Sequence, residues 1–371
     1  LSDNGASQEG RAFGVLDSFR HFNGDDQPLD EALDRLADIG TRTSSTNYPW
    51  GWAQVGNTPG KRYKQNTHSG GIRDPLIISW PGGIEPAALG QVRTQFHHVI
   101  DLAPTLLELL GIAAPGEIAG VAQQPIEGTS LAYTFKQNAN DAVAVPTQKE
   151  RQYFEMFGHR AIWADGWKAV AFHRPDTSLD DDVWELYHLD EDFSECNDLA
   201  ATQPERLADM VEMFWEEAER YQVLPIMDSP RGLFAGHPTA GTPRARDRFV
   251  YLPPTQRVPM DSAPALGSRS WSMRFEVERP VGDEAGVLLG FGTVNNGLVV
   301  YVDDDGHLVY DHNAYSNHTL VRSPDPVPVG SSVLEVHQDR VWRGPGRARL
   351  VVDGVQVADV IVPLVPVMVS S

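Results

Sequence analysis

The chain has 371 residues, 41% of them hydrophobic, and a formal net charge of −21 at pH 7. This length is sufficient for two domains with separate cores. The negative charge argues against general binding to nucleic acid or to an anionic membrane, because both would be repelled. No apolar run in the sequence is long enough to cross a bilayer. Cys196 is the only cysteine, so an internal disulfide is excluded.

The first polar pair in the chain is Asp3 and Asn4, followed directly by Gly5. These residues are typical of a strand end that runs into a turn, but the residues that would form the strand are not there. We therefore expect an N-terminal portion to be missing. A carboxylate beside an amide oxygen suits a hard divalent cation such as Ca²⁺ or Mg²⁺. A simple Asp-Asn-Gly turn explains the same residues.

Apolar side chains recur at helical spacing between Asp25 and Gly40, which predicts a structural helix with one packed face. The stripe consists of Leu29, Ala32, Leu33, Leu36 and Ile39. The aromatic stretch at residues 47–52 either rims a substrate pocket or fills the core, and the sequence leaves both interpretations open.

Residues 56–81 place a basic loop before a glycine pair and a short apolar run. The loop carries Lys61, Arg62, Lys64 and His68. Gly70 and Gly71 permit a close backbone approach, and residues 76–80 predict a buried strand. In an open α/β sheet, ligands bind at strand ends, and a lysine ammonium suits an oxyanion such as sulfate or phosphate. The alternative is a basic loop that is merely solvated.

Periodicity predicts the elements that follow. Residues 100–112 predict a short helix capped by Asp101. Three strand-like runs indicate an antiparallel subdomain. They are residues 153–157, 167–172 and 184–189. A long amphipathic helix comes next, with Thr202 and Glu205 predicted to form a capping box around Pro204.

The composition changes after residue 228. Residues 229–264 are rich in Pro, Gly and Arg, and they predict a linker. Beyond it, alternating strands joined by Asp-Gly turns predict an all-β sandwich over residues 265–371. The acidic run at residues 303–305 has the chemistry of a Ca²⁺ ligand set, but hairpin-turn chemistry is the favoured interpretation.

Several of these segments resemble the C-terminal half of the sulfatase family, in particular the large bacterial arylsulfatases. The resemblance starts at L-S-D-N-G-A and continues through N-T-P, K-x-x-x-H-x-G-G-I and P-L-I-x-x-W-P in residues 56–81. Further matches lie at residues 99–112, 152–170 and 184–200. The resemblance covers residues 1–228 and implies an incomplete alkaline-phosphatase-like α/β domain. The β-sandwich after it is similar to the jelly-roll modules appended to some of these enzymes.

The resemblance implies hydrolysis of a sulfate monoester to sulfate and an alcohol or phenol. Asp3 and Asn4 correspond to ligands of the family's Ca²⁺ or Mg²⁺. Lys64 corresponds to the catalytic lysine that contacts the sulfate and the departing oxygen. His68 is a second candidate for substrate binding, although a histidine beside a glycine turn is often structural. Many relatives have Glu at the position of Ser69, so the surroundings of Lys64 differ here.

The family's nucleophile is a formylglycine made from Cys or Ser in a C-x-P-x-R or S-x-P-x-R context, and neither context occurs in this chain. We therefore expect the nucleophile and a pair of metal-binding aspartates in the missing N-terminal half. The predicted partners of this chain are that N-terminal half and the sulfate ester substrate. Three alternatives stay open. The first is a phosphoesterase of the alkaline phosphatase superfamily, the second is a non-catalytic glycan-binding fragment, and the third is a purely structural fragment.

Overall fold

The computed structural model describes residues 5–23, 25, 27–136, 145–228, 246–253, 255, 257–259, 262–264, 266–267, 269–340 and 344–366. These residues form two compact units. Unit 1 contains the described residues of 5–6 and 53–228, and unit 2 contains those of 7–52 and 246–366. No pattern in the sequence indicated that residues 7–52 belong with the C-terminal strands.

The helices are α1 (Ser18–Phe22), α2 (Leu29–Asp34), α3 (Trp50–Asn57), α4 (Ser69–Ile72), α5 (Leu102–Leu110) and α6 (Pro204–Arg220). The first six strands are β1 (Glu117–Ile118), β2 (Val121–Ala122), β3 (Arg151–Met156), β4 (His159–Ala164), β5 (Trp167–Ala171) and β6 (Trp184–His188). The others are β7 (Trp271–Arg279), β8 (Gly286–Gly292), β9 (Asn296–Val302), β10 (Leu308–Ala314), β11 (Asn317–Arg322), β12 (Gly330–Arg340), β13 (Gly346–Val352) and β14 (Val355–Val362). An α/β region is thus followed by a β-rich region. Within the described part of the chain, no helix is long and apolar enough to span a membrane.

The antiparallel subdomain of unit 1 is a four-stranded sheet in the order β3-β4-β5-β6. One face of this sheet packs against α6 around a shared apolar core. The fully buried members of that core are Ile162, Ala169, Leu186, Phe214 and Ala218. The predicted antiparallel subdomain and long helix are confirmed, whereas the central strand β4 was not predicted.

The predicted capping box of α6 is wrong. The helix begins at Pro204, its N-cap is Gln203, and no side chain caps it. The Thr202 hydroxyl instead donates to the carbonyl of Leu199. Pro204 is at the first helical position as predicted, where its missing N–H is not needed.

The prediction of a buried strand at residues 76–80 is also wrong. These residues form no strand, and Ile77 is 85% exposed. A strand requires a neighbour that accepts and donates ladder hydrogen bonds. Among the strands of the described residues, none pairs with this segment.

The predicted helix between residues 25 and 40 is divided into α2 and a 3₁₀ turn at Leu36–Asp38. Its apolar stripe is not a packed face, because Leu29 is 50% exposed and Ile39 is 54% exposed. Of the aromatic residues that follow, Trp50 is 42% exposed and Trp52 is 66% exposed, which contradicts the core-filling interpretation.

The helix predicted at residues 100–112 is α5, and Gly111 ends it in a left-handed conformation with φ 64°. Asp101 does not cap α5 through its side chain. Its buried carboxylate instead accepts from the amides of His98 and Thr129, each at 2.8 Å, and from the Lys149 ammonium at 2.9 Å. Asp101 therefore ties together three segments that are distant in sequence.

Unit 2 contains two four-stranded antiparallel sheets, in the orders β11-β10-β9-β8 and β14-β13-β12-β7. They share one core. Its members include Leu298, Val300, Leu308, Tyr310, Leu334, Val336 and Leu350. The hairpin between β13 and β14 turns at Asp353 and Gly354, with φ 49° and 80°. Both values are left-handed, as the predicted Asp-Gly turn requires.

The acidic run at residues 303–305 serves the hairpin between β9 and β10. One oxygen of the Asp303 carboxylate accepts from the amides of Asp305 and His307. The other oxygen pairs with Arg322 at 2.7 Å, and Asp305 pairs with the same guanidinium at 3.0 Å. Turn chemistry together with an arginine accounts for these carboxylates.

Residues 7–52 contact the strands of unit 2 through side chains. The Arg20 guanidinium lies 5.5 Å from the centre of the Tyr315 ring. The Ser316 hydroxyl donates to the carbonyl of Thr43 at 3.0 Å. Unit 2 is therefore assembled from two segments separated by most of unit 1.

Candidate functional site

The basic loop and the glycine pair of unit 1 are packed tightly against each other. The Gly70 amide donates to the Lys61 carbonyl at 2.8 Å. A Cβ at Gly70 would overlap the carbonyl oxygen of Arg62, and a Cβ at Gly71 would lie 2.6 Å from the carbonyl of Tyr63. No larger residue fits at either position. The predicted close backbone approach at the two glycines is therefore confirmed.

The start of the chain lies against this loop. The Gly5 amide donates to the carbonyl of Gly71 at 3.4 Å, and the Ala6 amide donates to the side chain of Asn57 at 2.8 Å. The Lys64 amide donates to the carbonyl of Ala6 at 3.0 Å. The residues that directly follow the predicted metal ligands therefore lie beside Lys64, the predicted catalytic lysine.

Asp3 and Asn4 themselves lie outside the described residues, so their role as metal ligands stays a prediction. Within the described ranges, no group of three His, Cys, Asp or Glu residues is arranged to hold a metal ion. The fit of Ca²⁺ or Mg²⁺ to this end of the chain therefore rests on Asp3 and Asn4 alone. Lys64, the predicted catalytic lysine, does lie within the described residues, and it is partly buried.

Glu185 on β6 is the acceptor for two side chains of the basic loop. Its Oε2 atom lies 2.9 Å from the Lys61 ammonium and 3.0 Å from His68 Nε2. It also accepts from the Tyr187 hydroxyl at 2.5 Å. Burial alone would raise the pKa of Glu185, but the hydrogen bonds from His68, Tyr187 and Lys61 outweigh it and hold the pKa below its ordinary value.

His68 is 1% exposed. Burial lowers its pKa, although the hydrogen bond to Glu185 acts in the opposite direction. The imidazole is therefore neutral at pH 7. It donates from Nε2 because the carboxylate of Glu185 can only accept. This placement matches the structural interpretation of His68, and its contact with substrate stays a prediction.

Glu195 holds the end of the same loop. Its carboxylate accepts from the Ser69 amide at 2.9 Å and from the Lys168 ammonium at 2.7 Å. Burial raises the pKa of Glu195, but the Lys168 ammonium and the Ser69 amide hold the pKa below its ordinary value. Just before Ser69, the Thr67 hydroxyl donates to the carbonyl of Arg160 on β4 at 3.1 Å. The antiparallel sheet thus fixes the loop at several points.

Sequence reasoning identified the loop but not the residues that hold it. Glu185, Glu195 and Lys168 were all missed. A signal was present for two of them, since Lys168 and Glu185 are charged residues within otherwise apolar or aromatic strands. A buried charge of this kind needs a partner. Which partner it has depends on tertiary structure.

Comparisons with known proteins agree with the resemblance. The sulfatase family model matches residues 1–112, and the model described as N-sulphoglucosamine sulphohydrolase, C-terminal, matches residues 60–223. An uncharacterized sulfatase from Schizosaccharomyces pombe is 30% identical over 219 residues, which are 58% of this chain and 36% of that protein. Arylsulfatase K from Xenopus laevis is 27% identical over 152 residues, which are 40% of this chain and 26% of that protein.

A solved structure of a protein in complex with its substrate D-glucosamine-2-N,6-O-disulfate aligns with a TM-score of 0.25 and 19% identity, covering 35% of this chain and 25% of that one. The chain spans 36% of the length of the yeast relative and 26% of the length of the frog relative. The two family models overlap and together cover residues 1–223, which include both the basic loop and the sheet that holds it. The chain belongs to the sulfatase family.

Proposed function

We propose that this chain supplies part of the active site of a sulfuric ester hydrolase of the arylsulfatase type. The reaction is hydrolysis of an aryl or glycan sulfate monoester to sulfate and the corresponding phenol or alcohol. The observation that carries the proposal is the backbone hydrogen bond between Lys64 and Ala6. It brings the end of the L-S-D-N-G-A motif to the lysine of the second motif.

In this proposal, Lys64 stabilises the charge that develops on the departing oxygen and on the sulfate. A positioned cation is effective because it stabilises charge where that charge forms in the transition state. Asp3 and Asn4 would hold Ca²⁺ or Mg²⁺ together with ligands from outside this chain, and the bound cation would neutralise sulfate oxygens. The formylglycine nucleophile would come from residues N-terminal to Asp3.

The test of Lys64 is Lys64→Ala in the protein that includes those N-terminal residues. A pair of unit charges about 4 Å apart interacts by about 4 kcal/mol at an effective dielectric constant of about 20. Lys64 is partly exposed, so we expect a smaller loss, of about 2.7 kcal/mol or about 100-fold in kcat/KM. Hydrolysis of 4-nitrophenyl sulfate measures it.

The matched control is Arg174→Ala, which removes an exposed cation from the same unit. Lys61 is unsuitable as a control because its ammonium binds Glu185. We expect the control to retain kcat/KM within about threefold, as for other exposed charges. Equal losses from both substitutions would indicate diffuse attraction of an anion and would contradict the role of Lys64.

The chain as given should not hydrolyse 4-nitrophenyl sulfate in the presence of Ca²⁺, because it lacks the nucleophile motif. The measurement is release of 4-nitrophenolate by the purified chain. Turnover above a control without protein would place the nucleophile within residues 1–371 and overturn the proposed division of the site.

A further inference from the structure

The loop around Lys64 has little regular structure of its own. Residues 61–68 belong to neither helix nor strand, and Arg62 and Gln65 have φ values of 65° and 74°. Non-glycine residues adopt such left-handed conformations at a cost, and they persist only where surrounding contacts determine them. Contacts with other parts of unit 1 must therefore hold Lys64 in place.

Glu185 makes contacts on both sides of Lys64. Lys61 precedes Lys64 by three residues and His68 follows it by four, and the side chains of both reach the same carboxylate oxygen. Glu185 itself is on a rigid element, because β6 pairs with β5 along its length and Leu186 beside it is fully buried. We propose that Glu185 is a positioning residue that fixes the loop carrying Lys64 for the proposed sulfatase reaction, on which this inference rests.

The charge of Glu185 is essential to this arrangement. A carboxylate has only acceptor oxygens, so it can serve an ammonium, an imidazole N–H and a hydroxyl together. An amide of the same shape can keep its one acceptor oxygen at this position, but it is neutral, and a neutral acceptor holds an ammonium and an N–H donor less strongly than a carboxylate does. Glu185→Gln should therefore weaken the Lys61 and His68 contacts while preserving the packing of β6.

The first test measures loop order without using activity. Amide hydrogen exchange of residues 61–71 should become at least about tenfold faster in Glu185→Gln than in the wild-type chain. The control is Glu155→Gln, the same substitution on β3 of the same sheet, where the carboxylate accepts from the local Gly158 amide. Unchanged exchange at residues 61–71 in Glu185→Gln would overturn the proposal.

The second test uses the catalytically complete protein and two substrates that differ in leaving group. Loss of a group that stabilises the departing oxygen slows phenyl sulfate more than 4-nitrophenyl sulfate, because nitrophenolate leaves with less assistance. If Glu185 acts by positioning Lys64, Glu185→Gln should lower kcat about 10- to 100-fold with KM within about threefold. The loss should be larger for phenyl sulfate, in parallel with Lys64→Ala.

A purely structural role for Glu185 would lower the active fraction of enzyme, and the loss would then be equal for both substrates. That result in Glu185→Gln would overturn the proposal.

If Glu185→Gln fails to fold, Tyr187→Phe takes its place, since it removes one of the three hydrogen bonds to the same carboxylate. It should show a smaller loss with the same leaving-group dependence, and an equal loss on both substrates would again count against positioning. If Lys64→Ala shows no leaving-group dependence while the wild type is active, the proposed role of Lys64 fails instead, and the exchange result still decides whether Glu185 orders the loop.

Discussion

Replacing Lys168 by Met should destabilise unit 1 strongly. The Lys168 ammonium is 2.7 Å from the Glu195 carboxylate, and the side chains are 1% and 0% exposed. At this distance and an effective dielectric constant of about 20, the attraction is about 6 kcal/mol. Part of this attraction offsets the free energy of burying the two charges, so the expected net loss is about 3–5 kcal/mol, the usual range for breaking a buried pair. Methionine occupies a similar volume, which keeps any contribution from a cavity small.

The chain has two units, so a single global unfolding transition is not expected. The assay is therefore hydrogen exchange of the β5 and β6 amides at increasing urea concentration, which reports the opening free energy of that sheet. The matched control is Lys61→Met, since the Lys61–Glu185 pair has side chains 32% and 25% exposed. We expect it to cost only about 1 kcal/mol.

Equal losses in Lys168→Met and Lys61→Met would refute the argument from burial. A double variant, Lys168→Met with Glu195→Leu, should recover most of the lost stability, because an apolar pair can replace a buried ion pair of similar volume. The recovery should be incomplete by about 1–3 kcal/mol, since the Ser69 amide loses its acceptor.

Three further outcomes are expected. Gly70→Ala should lower the free energy of unfolding of unit 1 severely, because its Cβ would lie 2.6 Å from the Lys61 carbonyl; Gly116→Ala in the same unit, whose Cβ would meet nothing within 4 Å, should be neutral or slightly stabilising in the same urea titration. Burial raises the pKa of the Asp17 carboxyl from its ordinary value of 3.8 to about 6. Between these two pH values the folded unit 2 holds a proton on Asp17 that the unfolded chain has released, so the stability of unit 2 falls as the pH rises from 3.8 to 6. Asp17→Asn should therefore stabilise unit 2 above pH 6 and have little effect near pH 4, and a pH-independent difference in urea midpoint would count against this reasoning. Millimolar Ca²⁺ should leave the exchange of the β9–β10 hairpin unchanged, because Arg322 already binds Asp303 and Asp305, and protection by Ca²⁺ would show that the ion displaces the arginine.

Much of unit 1 could be predicted because local patterns determine it. The strand-like runs of β3, β5 and β6, the helical period of α6 and the glycine after α5 all depend on neighbouring residues. Local patterns fail to predict the structure of residues 76–80. Its apolar run has strand character, but strand formation also requires a partner, and no strand in the described ranges pairs with it.

The candidate site likewise contains some residues that the sequence predicts and others that it does not. Lys64 was identified from the resemblance to the sulfatase motif, and Gly70 and Gly71 from their backbone freedom. The partners of Lys61, His68 and the Ser69 amide are carboxylates more than 100 residues away, at Glu185 and Glu195. Contacts of this kind are fixed by tertiary packing, so no local pattern could have assigned them.

The discontinuous composition of unit 2 has a consequence for biosynthesis. Residues 7–52 leave the ribosome before residues 53–228 of unit 1, while the strands they contact begin only at Trp271. At about 5–20 residues per second, the delay between them is on the order of ten seconds or more. During that time the strands of unit 2 that residues 7–52 contact have not yet been made. Leu16, which is buried in the folded unit, is then available to chaperones or to neighbouring chains. Translation speed after residue 52 should therefore affect the yield of correctly assembled unit 2 more than that of unit 1.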